Sequence, residues 1–151
     1  MVSDKLRFVT RSVEETYKIA RDKIAPLVKR GDIIILDGEL GAGKTTFTRG
    51  FVEHFNISPD HVSSPTFTLI NVYQGKDVYI YHVDFYRILE GNDVFFDELM
   101  EMQDKGITLI EWGRKFIEEI EEYTEGDIYI LEIKRLGESE REFVFEKYTD
   151  N

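Results

Sequence analysis

Residues 38 to 45 read Gly-Glu-Leu-Gly-Ala-Gly-Lys-Thr, which fills G-x-x-x-x-G-K-[ST] at every fixed position. The pattern constrains the fold because it works only between a strand and a helix. Its glycines let the backbone turn tightly, so that several N–H groups point at one anion. The positive end of the following helix adds to the same place. Both neighbours are legible. Ile33-Ile34-Ile35-Leu36 is an unbroken apolar run, as expected of a strand buried on both faces of a parallel sheet. A helical pattern then runs from about Lys44 to Phe55. The segment is therefore expected to cradle the phosphates of a nucleotide, with Glu39, Leu40, Gly41, Ala42 and Gly43 shaping the loop. Lys44 would reach the β- and γ-phosphates, and the Thr45 hydroxyl would ligate Mg²⁺.

The rest of the chain predicts a single domain over 1–151, a length that leaves no room for two stable halves. Leu6 to Thr10 reads as a strand. Ser12 with Glu15 three residues on has capping-box spacing. Val13, Tyr17, Ala20, Ile24, Leu27 and Val28 then predict one buried helix face, with Pro26 as a kink and Gly31 as the stop. Thr66 to Tyr73 and Val78 to Val83 read as strands joined by a turn at Gln74-Gly75-Lys76-Asp77. Asp93 to Met102 and Arg114 to Tyr123 read as helices, with Ile107 to Ile110 a short strand between them. Ile128 to Ile133 and Glu142 to Tyr148 read as a closing antiparallel pair. Helices alternate with strands early and hairpins come later. The expected fold is a three-layer α/β P-loop domain with a mixed, centrally parallel sheet and antiparallel flanking strands.

Composition narrows the function. With no cysteine, disulfides, thiolate metal sites and Cys nucleophiles are excluded. A net charge of −11 is a poor match for phosphate backbones, so strong direct binding of nucleic acid is not expected. No signal-peptide pattern and no long apolar run is found, so the expectation is a soluble, cytoplasmic protein without a membrane span.

A P-loop needs carboxylates at the ends of neighbouring strands. Asp84 ends Val78–Val83 and Glu111 ends Ile107–Ile110, both on the edge where open α/β sheets bind ligands. One would serve the metal and the other would orient the attacking water; which does which stays open. Thr66, or Ser64, offers a loop hydroxyl that could ligate Mg²⁺ in the manner of nucleotide switches. Arg87 could neutralise phosphate charge or form a surface ion pair. His82 is expected to be a structural strand residue, and Trp112 a core or interface residue. The acidic run Glu118-Glu119-Ile120-Glu121-Glu122 reads as a solvated helix face.

The sequence holds neither the D-x-x-G nor the [NT]-K-x-D of a GTPase, which favours ATP. Its arginines are scattered, with no lid-like insertion, which disfavours a small-molecule P-loop kinase, the alternative reading. What remains is a minimal ATPase acting on a partner.

Four blocks in order carry a resemblance: Gly38 to Thr46, Ser64-Pro65-Thr66-Phe67, His82-Val83-Asp84-Phe85-Tyr86-Arg87 and Ile110-Glu111-Trp112. In these the chain resembles the TsaE (YjeE) family of bacterial ATPases required to form threonylcarbamoyladenosine in tRNA, beside the anticodon. Ser12-Val13-Glu14-Glu15-Thr16 also looks like the family's opening. The resemblance implies that Lys44 and Thr45 bind phosphate and Mg²⁺, and that Thr46 contacts the α-phosphate side. It implies that Asp84 and Glu111 belong to the metal and hydrolysis apparatus, with Thr66 switch-like. It further implies a slow ATPase that acts on a TsaB–TsaD heterodimer to sustain its turnover. Leu89 to Lys105 matches only loosely, Gly113-Arg114-Lys115 fits no pattern, and the last 25 or so residues match in strand character alone.

Overall fold

The apolar run before the phosphate loop forms β2 (Ile33–Gly38), the middle strand of a seven-stranded sheet. The structure is a computed structural model that describes residues 5–39, 43–62, 70–84 and 95–149. The strands lie in the order β1-β7-β6-β2-β5-β4-β3. β5 (Gly106–Glu111) and β6 (Ile128–Arg135) flank β2 in parallel, and β4 (Tyr79–Asp84) joins β5 in parallel. Antiparallel pairs close both sides: β3 (Ile70–Gln74) on β4, and β7 (Arg141–Lys147) between β6 and β1 (Leu6–Thr10). The expected mixed, centrally parallel sheet is the one observed.

Alternate residues of β2 divide the core. Ile34 and Leu36 face one layer, where Ala20, Ile24, Phe47 and Phe51 pack. Ile33 and Ile35 face the other, with Leu99, Met102 and Ile120. The first layer holds α1 (Val13–Ile19) and α2 (Lys44–Glu53). The second holds α3 (Phe95–Lys105) and α4 (Ile117–Glu122), the latter entered through a 3-10 turn at Arg114–Phe116. Helices on both faces explain why the central strands read as continuous apolar runs rather than alternating ones.

The first helix departs from its sequence reading. Ser12 caps it, its Oγ accepting from Glu15 N at 3.1 Å, while Glu15 Oε1 accepts from Arg11 N at 2.9 Å. But the α-helix ends at Ile19, continues as a π-helical turn over Ala20–Ile24, and finishes as a 3-10 turn over Ala25–Leu27. Pro26, which lacks an N–H, sits in that tightened end. Along this segment Ala20, Ile24 and Val28 are buried, while Val13, at the first turn, and Leu27, in the 3-10 turn, are exposed. The 66–69 part of the Thr66–Tyr73 reading lies outside the described residues.

Below the sheet, away from the phosphate loop, Asp32 is buried and accepts from the backbone N of Lys29 and of Asp127, both at 3.0 Å. It ties the entries of β2 and β6 together. Among the described residues, no helix is long and apolar enough to cross a membrane.

The contact between α1 and α2 depends on Gly50. A Cβ built there would lie 2.6 Å from Tyr17 Cα and 2.8 Å from Tyr17 O. Both neighbours are main chain and cannot rotate aside. Gly50→Ala should therefore lower unfolding free energy by about 1–3 kcal/mol, the usual cost of overpacking, measurable by urea denaturation.

Candidate functional site

Gly38 ends β2, and the described chain resumes at Gly43, whose φ is +118°. Side-chain-bearing residues rarely adopt that region, so glycine is required at this position. α2 starts at the next residue without a side-chain cap. The first N–H groups of a helix have no acceptor within it, so they are available to an anion at this edge.

Lys44 is the first residue of α2 and only 7% exposed, unusual for a lysine. Its Nζ donates to Gly38 O at 3.0 Å, which folds the side chain back over the loop. Nζ also lies 3.7 Å from Glu111 Oε1 and 4.4 Å from the centre of the Trp112 ring. A cation over an indole face is attracted by the ring quadrupole.

Parallel pairing delivers the acid. Glu111 ends β5, level with Leu36 of β2 on one side and Asp84 of β4 on the other. The two predicted carboxylates thus stand on adjacent strand ends. Glu111 is 8% exposed. Its Oε2 lies 2.5 Å from His82 Nε2, so its two oxygens face different partners. Burial alone would raise the Glu111 carboxyl, but the hydrogen bond from His82, together with Lys44, outweighs it and holds the group below the ordinary carboxylate value.

A cavity of about 470 Å³ opens beside the loop. Gly43, Lys44, Thr45, Thr46 and Glu111 form its phosphate-loop end. The far wall comes from Arg11, Ser12, Val13 and Thr16 at the start of α1, and from Glu138, Ser139 and Arg141 of the β6–β7 hairpin. Arg141 Nη1 donates to the carbonyls of Gly137 and Glu140 at 2.9 Å and of Glu138 at 3.3 Å, which braces that hairpin. Thr10 and Thr16 share a buried hydroxyl contact of 2.8 Å behind the wall.

The structure brings Lys44, Thr45, Thr46 and Glu111 together and sets Asp84 one strand away. Glu39 is exposed. Leu40, Gly41, Ala42, Ser64, Thr66 and Arg87 lie outside the described residues. Trp112 is 47% exposed and sits over Lys44, so it is not a core residue. Its φ of +67° turns the chain sharply after Glu111. Arg114, which fits no sequence pattern, anchors that turn: its Nη1 donates to Asp37 Oδ2 at 2.6 Å and to Glu132 Oε2 at 3.3 Å. The hairpin wall carries no motif and could be found only through the antiparallel pairing of β1, β7 and β6.

The family model for the threonylcarbamoyl adenosine biosynthesis protein TsaE matches residues 10–143. The chain is 42% identical over 142 residues to the tRNA threonylcarbamoyladenosine biosynthesis protein TsaE of Bacillus subtilis, covering 93% of this chain and 85% of that one. It is 38% identical over 134 residues to the TsaE protein of Aquifex aeolicus, covering 88% and 90%. The crystal structure of YdiB from Bacillus subtilis superposes with a TM-score of 0.72 at 34% identity, covering 99% of this chain and 89% of that one.

Because the Glu111 carboxyl is held low in the fold, it stabilises the protein fully above its ordinary value of 4.5, and that contribution is lost as pH falls through the lowered value. In metal-free buffer the stability difference between wild type and Glu111→Gln should therefore shift against the wild type from pH 5 to pH 3. Thermal unfolding of both proteins across that range measures it.

Proposed function

This chain belongs to the TsaE family of threonylcarbamoyl adenosine biosynthesis proteins, and we propose that within that pathway it binds ATP with Mg²⁺ on the Gly38–Thr45 loop and hydrolyses it. The observation that carries the reading is the buried Lys44 ammonium, set with the Glu111 carboxylate at one end of a cavity of about 470 Å³. Such a cavity is in the range that holds a small organic ligand.

In this reading the triphosphate lies along the first turn of α2. The helix N–H groups and the loop amides receive the phosphate oxygens. Lys44 exchanges its contact with Gly38 O for the β- and γ-phosphates, and Thr46 lies toward the α-phosphate. The base and ribose occupy the part of the cavity walled by Ser12, Val13, Thr16, Ser139 and Arg141.

The fit of the metal rests on the donor set. Among the described residues, no group of three or more His, Asp or Glu could hold an ion alone. Mg²⁺ does not require one: it keeps waters and takes one or two carboxylates plus substrate phosphates. The Thr45 hydroxyl, with Asp84 and Glu111 on adjacent strand ends, fits that habit, and Thr66 would complete the set. Mg²⁺ held by these residues would neutralise negative charge developing on the phosphates. Glu111, ionised and fixed between His82 and Lys44, is suited to orient the attacking water and accept its proton. Asp84 serves the metal's water shell.

Hydrolysis would act on a TsaB–TsaD heterodimer and sustain its turnover. The charge of −11 supports a division of labour in which the partners hold the tRNA.

ATP turnover by the purified protein, with and without the cognate TsaB–TsaD pair, tests this. The pair should stimulate hydrolysis, and Lys44→Ala should reduce the stimulated rate by on the order of 10²-fold, as for loss of one preorganised donor to developing charge. Wild-type rates and ATP affinity in Lys44→Ala would overturn the site. A rate unchanged by folded, active partners would overturn the partnership.

A further inference from the structure

His82 is buried on β4, the strand beside the edge strand β3, level with Asn71 of β3 and Leu109 of β5. Sequence reasoning made it a structural strand residue. A structural role does not account for an imidazole here. Its neighbours along the strand, Tyr81 and Val83, are themselves buried, and an apolar side chain would fill the space without desolvating two ring nitrogens. Buried polar atoms are nearly always satisfied, yet Nδ1 of this ring has no hydrogen-bond partner among the described residues. Among the described residues, the ring's one polar contact is from Nε2 to Glu111 Oε2 at 2.5 Å.

That contact has a direction. An ionised carboxylate offers only lone pairs, so Nε2 carries the hydrogen and donates it. In the neutral ring that donates from Nε2, Nδ1 keeps a bare lone pair, which costs less than a buried, unpaired N–H. With Oε2 taken by His82, Oε1 is the oxygen that faces Lys44, at 3.7 Å. The β-strand holds the imidazole rigidly, so the carboxylate plane is set from behind by the sheet rather than from the cavity side. Side chains that orient a metal-site ligand by a hydrogen bond typically cost about 10–100-fold in metal affinity or activity when removed, which sets the scale for a partner of Glu111.

We propose that His82 is a positioning residue for nucleotide hydrolysis: its Nε2–H fixes Oε2 of Glu111, so that Oε1 is presented to Lys44 and the phosphate end of the cavity. The proposal rests on the reading that Glu111 acts in hydrolysis at this site. It makes three demands. His82 matters to turnover but not to nucleotide affinity. It matters only while Glu111 is present. A side chain that restores an N–H donor at this point restores part of the effect.

The test combines kinetics with spectroscopy. Stimulated ATP turnover and ATP affinity are measured for wild type, His82→Leu, His82→Gln, Glu111→Ala and the His82→Leu/Glu111→Ala double variant. His82→Leu should keep its ATP dissociation constant within about threefold while kcat falls about 10–100-fold. His82→Gln should recover part of that loss, and in the Glu111→Ala background His82→Leu should cost little more. Independently of activity, ¹⁵N-histidine NMR on the wild type should show Nε2 of His82 protonated and Nδ1 bare; the chain has only three histidines, which makes assignment direct. That pattern should be lost in Glu111→Ala. A hydrogen found on Nδ1 instead of Nε2 would overturn the proposal even if no His82 variant folds. An unchanged kcat in His82→Leu, or the same fold-loss with and without Glu111, would overturn it while turnover sensitive to Lys44 and Glu111 still stood. Absence of any turnover in the wild type would overturn the ATPase reading, and the positioning role with it.

Discussion

The parallel pairing of β2 with β5 is the constraint on which the site depends. Two strands that run the same way end at the same edge, so the loop leaving β2 and the acid ending β5 meet without any dedicated device. Lys44 and Glu111 are 67 positions apart in the chain yet within 3.7 Å. Opposite charges at that spacing, mostly removed from water, attract far more strongly than on a surface. Each also meets a second demand. Lys44 is satisfied by Gly38 O and the Trp112 face, and Glu111 by His82. Neither Lys44 nor Glu111 depends on one contact alone, which is the condition under which buried charge is tolerated.

The turn that follows Glu111 is held from outside. Trp112 takes a left-handed conformation that few side chains accept, and Arg114 closes the turn onto Asp37 and Glu132. Asp37 immediately precedes the phosphate loop. The segment carrying the acid and the segment carrying the lysine are therefore joined twice, once through the sheet and once through this ion pair. The second link is half-exposed, so its own contribution to stability is small; its effect is on direction.

Much of this was legible in the residues. Ile33 to Leu36, the G-x-x-x-x-G-K-[ST] block and the strand ends at Asp84 and Glu111 announce a parallel core with a phosphate edge, because burial on both faces leaves a continuous apolar signature. The resemblance to the TsaE family rested on Gly38 to Thr46 and the blocks around Asp84 and Glu111, together with Ser64-Pro65-Thr66-Phe67. Other features were not legible, for physical reasons. The break of the first helix at Ile19 is a change of pitch, which leaves the apolar spacing almost intact and so leaves no mark in the sequence pattern. The exposure of Trp112 follows from one φ angle. The contact between His82 and Glu111 joins residues 29 apart through strand register, and no local pattern encodes register. The far wall of the cavity belongs to a hairpin whose residues carry no motif, and only the pairing of β1, β7 and β6 brings it near.

The close approach at Gly50 bears on how such a site survives change. The cavity has two sides that belong to different helices: Ser12 and Thr16 on the first, Lys44 to Thr46 on the second. Where these helices cross, main chain meets main chain, with only the hydrogen of a glycine between them. The width of the cavity is consequently referenced to peptide backbone, not to the bulk of any side chain. A side chain at position 50 would have to force the two backbones apart, and with them the two sides of the cavity.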